Sequence, residues 1–273
     1  MTYTELCGRL RNAGIENPEW DAALLLERFC GVDPRFLRLE ADRDYEGAAL
    51  LQAVEKREAR YPLQYLLGEW QFYRQTYEVC PDCLIPRSDT EILVEEAIRL
   101  LPKGAYFADL CTGSGCIAIS ILCERPDTRA LAVDKYPNTL AVAQRNAERH
   151  DVKDRMEALL SDVLSPVYVS AEPLDAILSN PPYIPTKELD GLSREVGAEP
   201  RAALDGGEDG LIFYRGILQM QAEKLKPEGF FLFEVGYDQA DAVIALGRRY
   251  GFFQSRVIRD YGGNRRVVYL ARE

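Results

Sequence analysis

The spacing of apolar residues changes period along this chain. Near the start it is helical. Ala22, Leu25, Leu26, Phe29 and Cys30 recur at i, i+3, i+4, i+7 and i+8, which predicts one apolar helix face. Asn17-Pro18-Glu19 just before them has the makings of a helix start: a capping residue, a proline at the first helical position and an early acid. A second helix is expected over residues 45–57, carrying Leu50, Leu51 and Val54. After Tyr61-Pro62 the period shortens. The runs Glu69-Trp70-Gln71-Phe72-Tyr73 and Thr76-Tyr77-Glu78-Val79 are rich in aromatic and β-branched residues and are split by a short polar gap, so a hairpin is expected.

From Ser88 onward helix and strand patterns alternate. Ser88-Asp89-Thr90-Glu91 reads as a capping box before a helix that carries Ile92, Leu93 and Ile98. Strands are expected at residues 105–110, 129–133, 156–159, 174–179, 229–235, 253–259 and 266–271, mostly with helical segments between them. This alternation predicts an α/β fold with a doubly wound seven-stranded sheet. Only Asp260-Tyr261-Gly262-Gly263-Asn264-Arg265 joins the last two strands, too short a link for a crossover helix, so the last strand should run antiparallel to its neighbour. The expected organisation is a small helical domain over residues 1–74, a hairpin linker over 75–86 and the α/β domain over 87–273.

Composition narrows the function classes. No apolar run approaches the length of a membrane span, and Met1-Thr2-Tyr3-Thr4-Glu5 has no signal-like start, so a cytoplasmic protein with no membrane partner is expected. The net charge of −11 argues against a duplex DNA partner and favours a protein partner, a basic one in particular. Of the seven cysteines, Cys30, Cys111, Cys116 and Cys123 lie in apolar runs, as small buried hydrophobes do. Cys80-Pro81-Asp82-Cys83 is a lone C-x-x-C without a second pair, and reads as a turn in a reducing compartment with no metal. The single histidine, His150, ends a predicted helix, which discounts Ser-His-Asp or Cys-His catalysis.

The most informative residues are Asn180-Pro181-Pro182-Tyr183, directly after the apolar run Leu174–Ser179. Two prolines fix φ and remove two N–H donors, so the backbone leaves the sheet as a stiff platform. Asn180 offers an amide oxygen, Pro181 a main-chain carbonyl and Tyr183 a flat aromatic face. A planar NH2 group laid on that face can donate both hydrogens to the two oxygens, which suits chemistry on an amide or exocyclic amine nitrogen. A proline-rich turn is the plain alternative.

A cofactor constellation precedes it. Asp109-Leu110-Cys111-Thr112-Gly113-Ser114-Gly115-Cys116 runs from strand to helix through a glycine turn, where the backbone can approach a ligand without a Cβ in the way. Asp134 ends the next strand, where an acid can accept both hydroxyls of a ribose. Asp162-Val163 follows the third strand, where an adenine would lie. Gly113-x-Gly115-x-x-Ala118 also fits the loose dinucleotide fingerprint, so an NAD-binding oxidoreductase is a rival, disfavoured by the antiparallel last strand and by N-P-P-Y beside the switch point. A cofactor-binding scaffold without catalysis is another.

Taken together, the segments Pro62-Leu63-Gln64-Tyr65-Leu66-Leu67-Gly68, Leu84-Ile85-Pro86-Arg87-Ser88-Asp89-Thr90-Glu91, the glycine turn, Ser179–Pro185, Glu199-Pro200-Arg201-Ala202-Ala203-Leu204 and Glu234-Val235-Gly236 resemble the protein-(glutamine-N5) methyltransferases that modify peptide chain release factors. The I-P-R-x-D-T-E and E-P-R-x-A-L segments are specific to that family. N-P-P-Y is shared with DNA and RNA amino-methyltransferases, so an N6-adenine or other nucleic-acid amino-methyltransferase is the main alternative. The resemblance implies a Rossmann-like methyltransferase sheet, S-adenosylmethionine as methyl donor, and the glutamine of a Gly-Gly-Gln loop in release factors as acceptor, hence a role in translation termination. It implies Asn180, Pro181 and Tyr183 as catalytic residues. Asp109, Cys111, Thr112, Gly113, Ser114, Gly115, Asp134, Asp162, Val163 and Asn180 would hold the cofactor. Asn180, Pro181, Pro182 and Tyr183, with Arg87, Glu199 and Arg201, would meet the substrate loop; scaffold salt bridges are an equal reading for the last three. Cys111 stands where the family commonly has the first glycine of the turn.

Overall fold

Thr2 opens the first helix with reciprocal bonds: its hydroxyl accepts from Glu5 N–H at 3.2 Å, and the Glu5 carboxylate accepts from Thr2 N–H at 2.8 Å. The computed structural model describes residues 1–37, 39, 41–165 and 170–272. It divides into two units, Met1–Glu69 with Leu192–Ala198, and Trp70–Gly191 with Glu199–Glu273.

The first unit holds helices α1 (Tyr3–Asn12), α2 (Pro18–Cys30), α3 (Ala48–Glu58) and α4 (Leu63–Leu67). Leu6, Leu10, Ala22, Leu25, Leu26, Leu50 and Val54 form its core. Two expectations fall short. Asn17 stands at the start of α2, but its side chain makes no capping bond, and Leu51 is 45% exposed. A buried ion network joins the distant segment to this unit. Arg57 donates to Asp21 Oδ2 at 2.6 Å and to Glu195 Oε1 at 2.7 Å.

The second unit opens on the expected hairpin, β1 (Glu69–Phe72) with β2 (Gln75–Glu78), and then α5 (Glu91–Leu100). The capping box does not form. Ser88–Thr90 is a 3-10 turn, Thr90 makes no cap bond, and the Glu91 carboxylate accepts from Tyr73 N–H at 2.9 Å instead. The sheet consists of β3 (Tyr106–Leu110), β4 (Arg129–Asp134), β5 (Met156–Leu160), β6 (Leu174–Ser179), β7 (Leu225–Glu234), β8 (Gln254–Arg259) and β9 (Arg265–Ala271). Their order is β5-β4-β3-β6-β7-β9-β8. The strands from β5 to β7 are parallel, whereas β9 lies antiparallel between β7 and β8. The short link at Asp260–Asn264 turns the chain back on itself, as its length requires.

Helices α6 (Cys116–Glu124) and α7 (Pro137–Arg149) join α5 on one face, where Leu93, Ile117, Ile121 and Ala143 meet Phe107, Ala132, Leu178 and Leu232. On the other face α8 (Ile212–Gln221) and α9 (Ala240–Arg249) pack Tyr214, Leu218 and Val243 onto Leu131, Ile177, Phe231 and Phe233. Both faces are covered, which is why the central strands read as continuous apolar runs. Strand order, not strand direction, reverses between the parallel β3 and β6: successive strands lead from β3 to β4 and β5 on one side and from β6 to β7 on the other, and the ends of β3 and β6, Leu110 and Ser179, lie in register. A crevice opens at such a switch point.

Candidate active site

At the switch point the chain leaves β3 through a turn that requires left-handed backbone three times. Gly113 and Gly115 have φ of 58° and 82°, and Cys111, which carries a Cβ, has φ of 59°. A Cβ on Gly115 would come within 2.8 Å of Ile119 and 3.2 Å of Ala143, so glycine lets α6 and α7 approach. Around Gly113 the space is open, as a ligand cradle needs. Asp109 holds the turn from beneath: its Oδ2 accepts the Thr112 hydroxyl at 2.6 Å and Ala118 N–H at 3.2 Å, while Oδ1 is buried without a partner. Burial pushes its carboxyl up to about 7 against those bonds. Thr112 and Ser114 are also buried in the turn.

Asp134 ends β4 at the rim of a cleft of about 400 Å³. Its Oδ2 accepts Gly113 N–H at 3.0 Å and its Oδ1 accepts Tyr136 N–H at 3.1 Å. Each oxygen keeps lone-pair capacity for one further donor, the requirement of a bidentate diol site. Burial raises its carboxyl. Asp162 follows β5 and pairs with Lys135 at 2.9 Å. Burial raises its carboxyl, but Lys135 and Leu164 N–H outweigh that and hold it below the usual range. Cys111, Gly113, Asp134, Asp162, Val163, Asn180 and Pro182 all line this one cleft.

The N-P-P-Y platform is pinned on several sides. Ser179 Oγ donates to the Leu110 carbonyl at 2.6 Å, tying β6 to β3 just before the prolines. Asn180 Nδ2 donates to Thr90 Oγ1 at 3.2 Å, so its Oδ1 is the end left to face an acceptor. The Tyr183 hydroxyl donates to Glu234 Oε1 at 3.4 Å, and its carbonyl accepts from Gln239 Nε2 at 2.8 Å. Burial pushes the Tyr183 phenol well up, so it stays protonated. The segment after E-P-R supports the platform from behind: Ile184 N–H donates to Leu204 O at 3.0 Å and Gly206 N–H to Ile184 O at 2.8 Å. A Cβ on Gly206 would lie 2.7 Å from Tyr183 Cα, and one on Gly210 would collide with the Tyr183 carbonyl and with Gln239. These glycines make a close-packed turn.

Arg87 and Glu199 meet in an ion pair in which the glutamate side chain is 1% exposed, and Glu199 Oε2 also accepts Ile85 N–H at 2.9 Å. The pair ties the I-P-R segment to the E-P-R segment. Arg201 is 61% exposed and reaches Asp205 at 3.5 Å. Thr90 and Glu234 stand in segments that carry the family resemblance, and Glu234 also ends a buried strand, yet neither is among the residues expected to meet cofactor or substrate; Gln239 has no signal in the sequence.

Comparison with known proteins agrees with this geometry. The family model of the PrmC N-terminal domain matches residues 3–68, and that of the methyltransferase small domain matches residues 88–212. The release factor glutamine methyltransferase of Moorella thermoacetica is 43% identical, covering 100% of this chain and 99% of the relative. That of Geobacter sulfurreducens is 41% identical, covering 96% and 92%. Among solved structures, a methyltransferase from Pyrococcus furiosus superposes with a TM-score of 0.54 over 71% of this chain and 87% of its own, at 16% identity, which supports the fold alone. This chain belongs to the release factor glutamine methyltransferase family.

Proposed function

We propose that this protein transfers a methyl group from S-adenosylmethionine to the side-chain N5 of the glutamine in the Gly-Gly-Gln motif of peptide chain release factors. The observation that carries the reading is the Asn180 amide, whose NH2 is committed to Thr90 at the edge of the cleft that holds Asp134 and the glycine turn. The residues fit the cofactor. Asp134 has free acceptor capacity that would serve two ribose hydroxyls, Val163 and Asp162 line the same cleft and would flank the adenine, and the open space at Gly113 would admit the methionine portion. Bound there, S-adenosylmethionine supplies an electrophilic sulfonium methyl.

The residues do the rest. An amide nitrogen is a poor nucleophile because its lone pair is delocalised into the carbonyl. Asn180 Oδ1 and the Pro181 carbonyl would each accept one hydrogen of the acceptor NH2, orient its lone pair toward the methyl and stabilise the positive charge that grows on nitrogen. Tyr183 would support the amide plane. Fixing the approach would make the transfer nearly unimolecular; the sulfonium–methyl bond would break as the nitrogen–methyl bond forms, no deprotonation need come first, and the cationic amide nitrogen would then release one of its two protons to solvent. Arg87, Glu199 and Arg201 would border the path of the entering loop, and the helical unit would recognise the body of the protein substrate. Among the described residues no helix is long and apolar enough to cross a membrane, which accords with work in the cytoplasm. The test is incubation with purified release factor and labelled S-adenosylmethionine, followed by peptide mapping. Label on the Gly-Gly-Gln glutamine is expected; label in DNA or RNA alone would overturn the reading.

A further inference from the structure

Backbone groups have a polarity that no shift of a proton reverses: an N–H only donates and a carbonyl only accepts. Three of them surround the buried side chain of Gln239. Its Oε1 accepts Gly236 N–H at 3.0 Å, while its Nε2 donates to the Tyr183 carbonyl at 2.8 Å and to the Gly210 carbonyl at 3.4 Å. Turning the amide over would set its oxygen against two carbonyls and its NH2 against an N–H, so it has one stable orientation. The main chain beneath it is fixed as well. Gln239 N–H closes a turn on the Gly236 carbonyl at 3.0 Å, and the Gln239 carbonyl accepts Val243 N–H at 3.0 Å as α9 begins. Gln239 is the residue from which that helix starts, yet its side chain makes no capping bond to it. The side chain is spent on the N-P-P-Y platform instead.

What it grips is the peptide plane that leaves the platform. The Tyr183–Ile184 peptide is held at both ends, its carbonyl by Gln239 and its N–H by the Leu204 carbonyl at 3.0 Å. On the other side of Tyr183 the ring of Pro182 fixes φ. The Cα–Cβ bond of Tyr183 therefore has a set direction. At the far end of the ring the hydroxyl reaches Glu234 only at 3.4 Å, a long bond, so the main chain aims the ring more firmly than the hydroxyl does. We propose that Gln239 is a positioning residue for methyl transfer: through the Tyr183 main chain it holds the aromatic face on which the acceptor amide lies. Both donors of its own amide go to main-chain carbonyls, so it gives nothing to a reactant directly. The proposal rests on the reading of Tyr183 as the support of the acceptor amide.

Gln239→Met keeps the length of the side chain and removes its hydrogen bonds. In the full chain, with release factor as acceptor and folding checked by circular dichroism, kcat should fall on the order of tenfold, the effect of one lost hydrogen bond, with cofactor affinity and KM for release factor within about twofold. In the Tyr183→Ala background, which has no ring to aim, Gln239→Met should cost little more. Multiplication of the two separate losses would overturn the proposal. So would wild-type kcat in Gln239→Met, or a fall in cofactor affinity equal to the fall in kcat. Gly210→Ala is the second variant, because its Cβ would press on both the Tyr183 carbonyl and Gln239 Nε2, and it should show the same split between kcat and cofactor affinity. Carbon relaxation of the labelled Tyr183 ring reads the positioning without turnover: a rigid ring in the wild type and a mobile one in both variants. That result with an inactive wild type would refute the proposed function and not the positioning, and equal ring motion in all three proteins would refute the positioning.

Discussion

Asp134 reaches back from the end of β4 to accept the backbone N–H of Gly113 at 3.0 Å, so the acid that would hold the ribose also shapes the turn that would hold the rest of the cofactor. Asp134→Ala should therefore weaken S-adenosylmethionine binding by roughly 1.5–3 kcal/mol, the scale of a charged hydrogen bond. Titration calorimetry measures it. Unchanged affinity, or binding of NAD by the wild type, would count against the cofactor assignment.

Cys111 sits at φ of 59°, a conformation that a Cβ disfavours by about 1–2 kcal/mol. Glycine loses more chain entropy on folding, which offsets part of the relief. Cys111→Gly should thus leave stability equal or raised by up to about 1 kcal/mol, and should not reduce methyl transfer. Cys111→Ala, which keeps a Cβ, should show no gain. Urea unfolding of the three proteins decides it. Burial pushes the Cys111 thiol up, so alkylation near neutral pH should be slow although the residue lines the cleft.

Much of this arrangement is legible in the chain, and the exceptions share one cause. The central strands could be read because a strand buried on both faces is apolar throughout. The reversal of β9 follows from the length of one link. Asp134, Asp162 and Asn180 each stand at a strand end, so the fold order alone gathers them at one cleft. The capping box failed because a local pattern met a distant partner: the Glu91 carboxylate, which the box would turn back to Ser88 N–H, accepts from Tyr73 N–H instead. Glu195 joins the helical unit through Arg57, far away in sequence, and no spacing announces that pair. Glu234 and Gln239 are likewise defined by what they face.

Glu234 should make the fold less stable as pH rises. A glutamate ordinarily titrates near 4.5; here burial pushes the carboxyl up to about 7, against Thr90 and Arg266, which favour its charge, with Asp89 adding to the rise. Between those values the folded protein keeps a proton that the unfolded chain has released, so rising pH withdraws stability, and above about 7 the loss is complete. Asp109 acts with the same sign from 3.8 to about 7. Glu234→Gln removes only the Glu234 share. Its stability relative to wild type should climb from pH 4.5 to about 7 and then level off, by a total on the order of 1–3 kcal/mol. A difference that is flat with pH would mean that Glu234 is not the titrating group.

Gly210 has φ of 73°, and its open side is closed by the Tyr183 carbonyl and Gln239. Gly210→Ala adds both backbone strain and overpacking, so a loss of roughly 1–3 kcal/mol is expected. Because the displaced group is the Tyr183 carbonyl, kcat should fall more than cofactor affinity. Gly191→Ala, where a Cβ meets nothing within 4 Å, is the control. Equal behaviour of the two variants would show that the turn does not brace the platform.

Asn180 is where protein and nucleic-acid acceptors cannot be told apart by local chemistry, since an amide and a base amine present the same planar NH2. What surrounds the site separates them. The net charge of −11 opposes a polyanion, and Leu204 of the E-P-R-A-A-L segment, which marks the release factor methyltransferases, braces the platform by accepting from Ile184 N–H. Asn180→Ala should cut turnover on release factor by about 10²-fold or more, as removal of a transition-state hydrogen-bond partner does. Cofactor affinity should change far less, because the glycine turn and Asp134 are untouched. Single-turnover rates with release factor and with duplex DNA, for both proteins, separate the possibilities. Incorporation into DNA that disappears in the variant, with none on the glutamine, would move the acceptor from protein to nucleic acid. A variant as fast as wild type would remove Asn180 from the chemistry altogether.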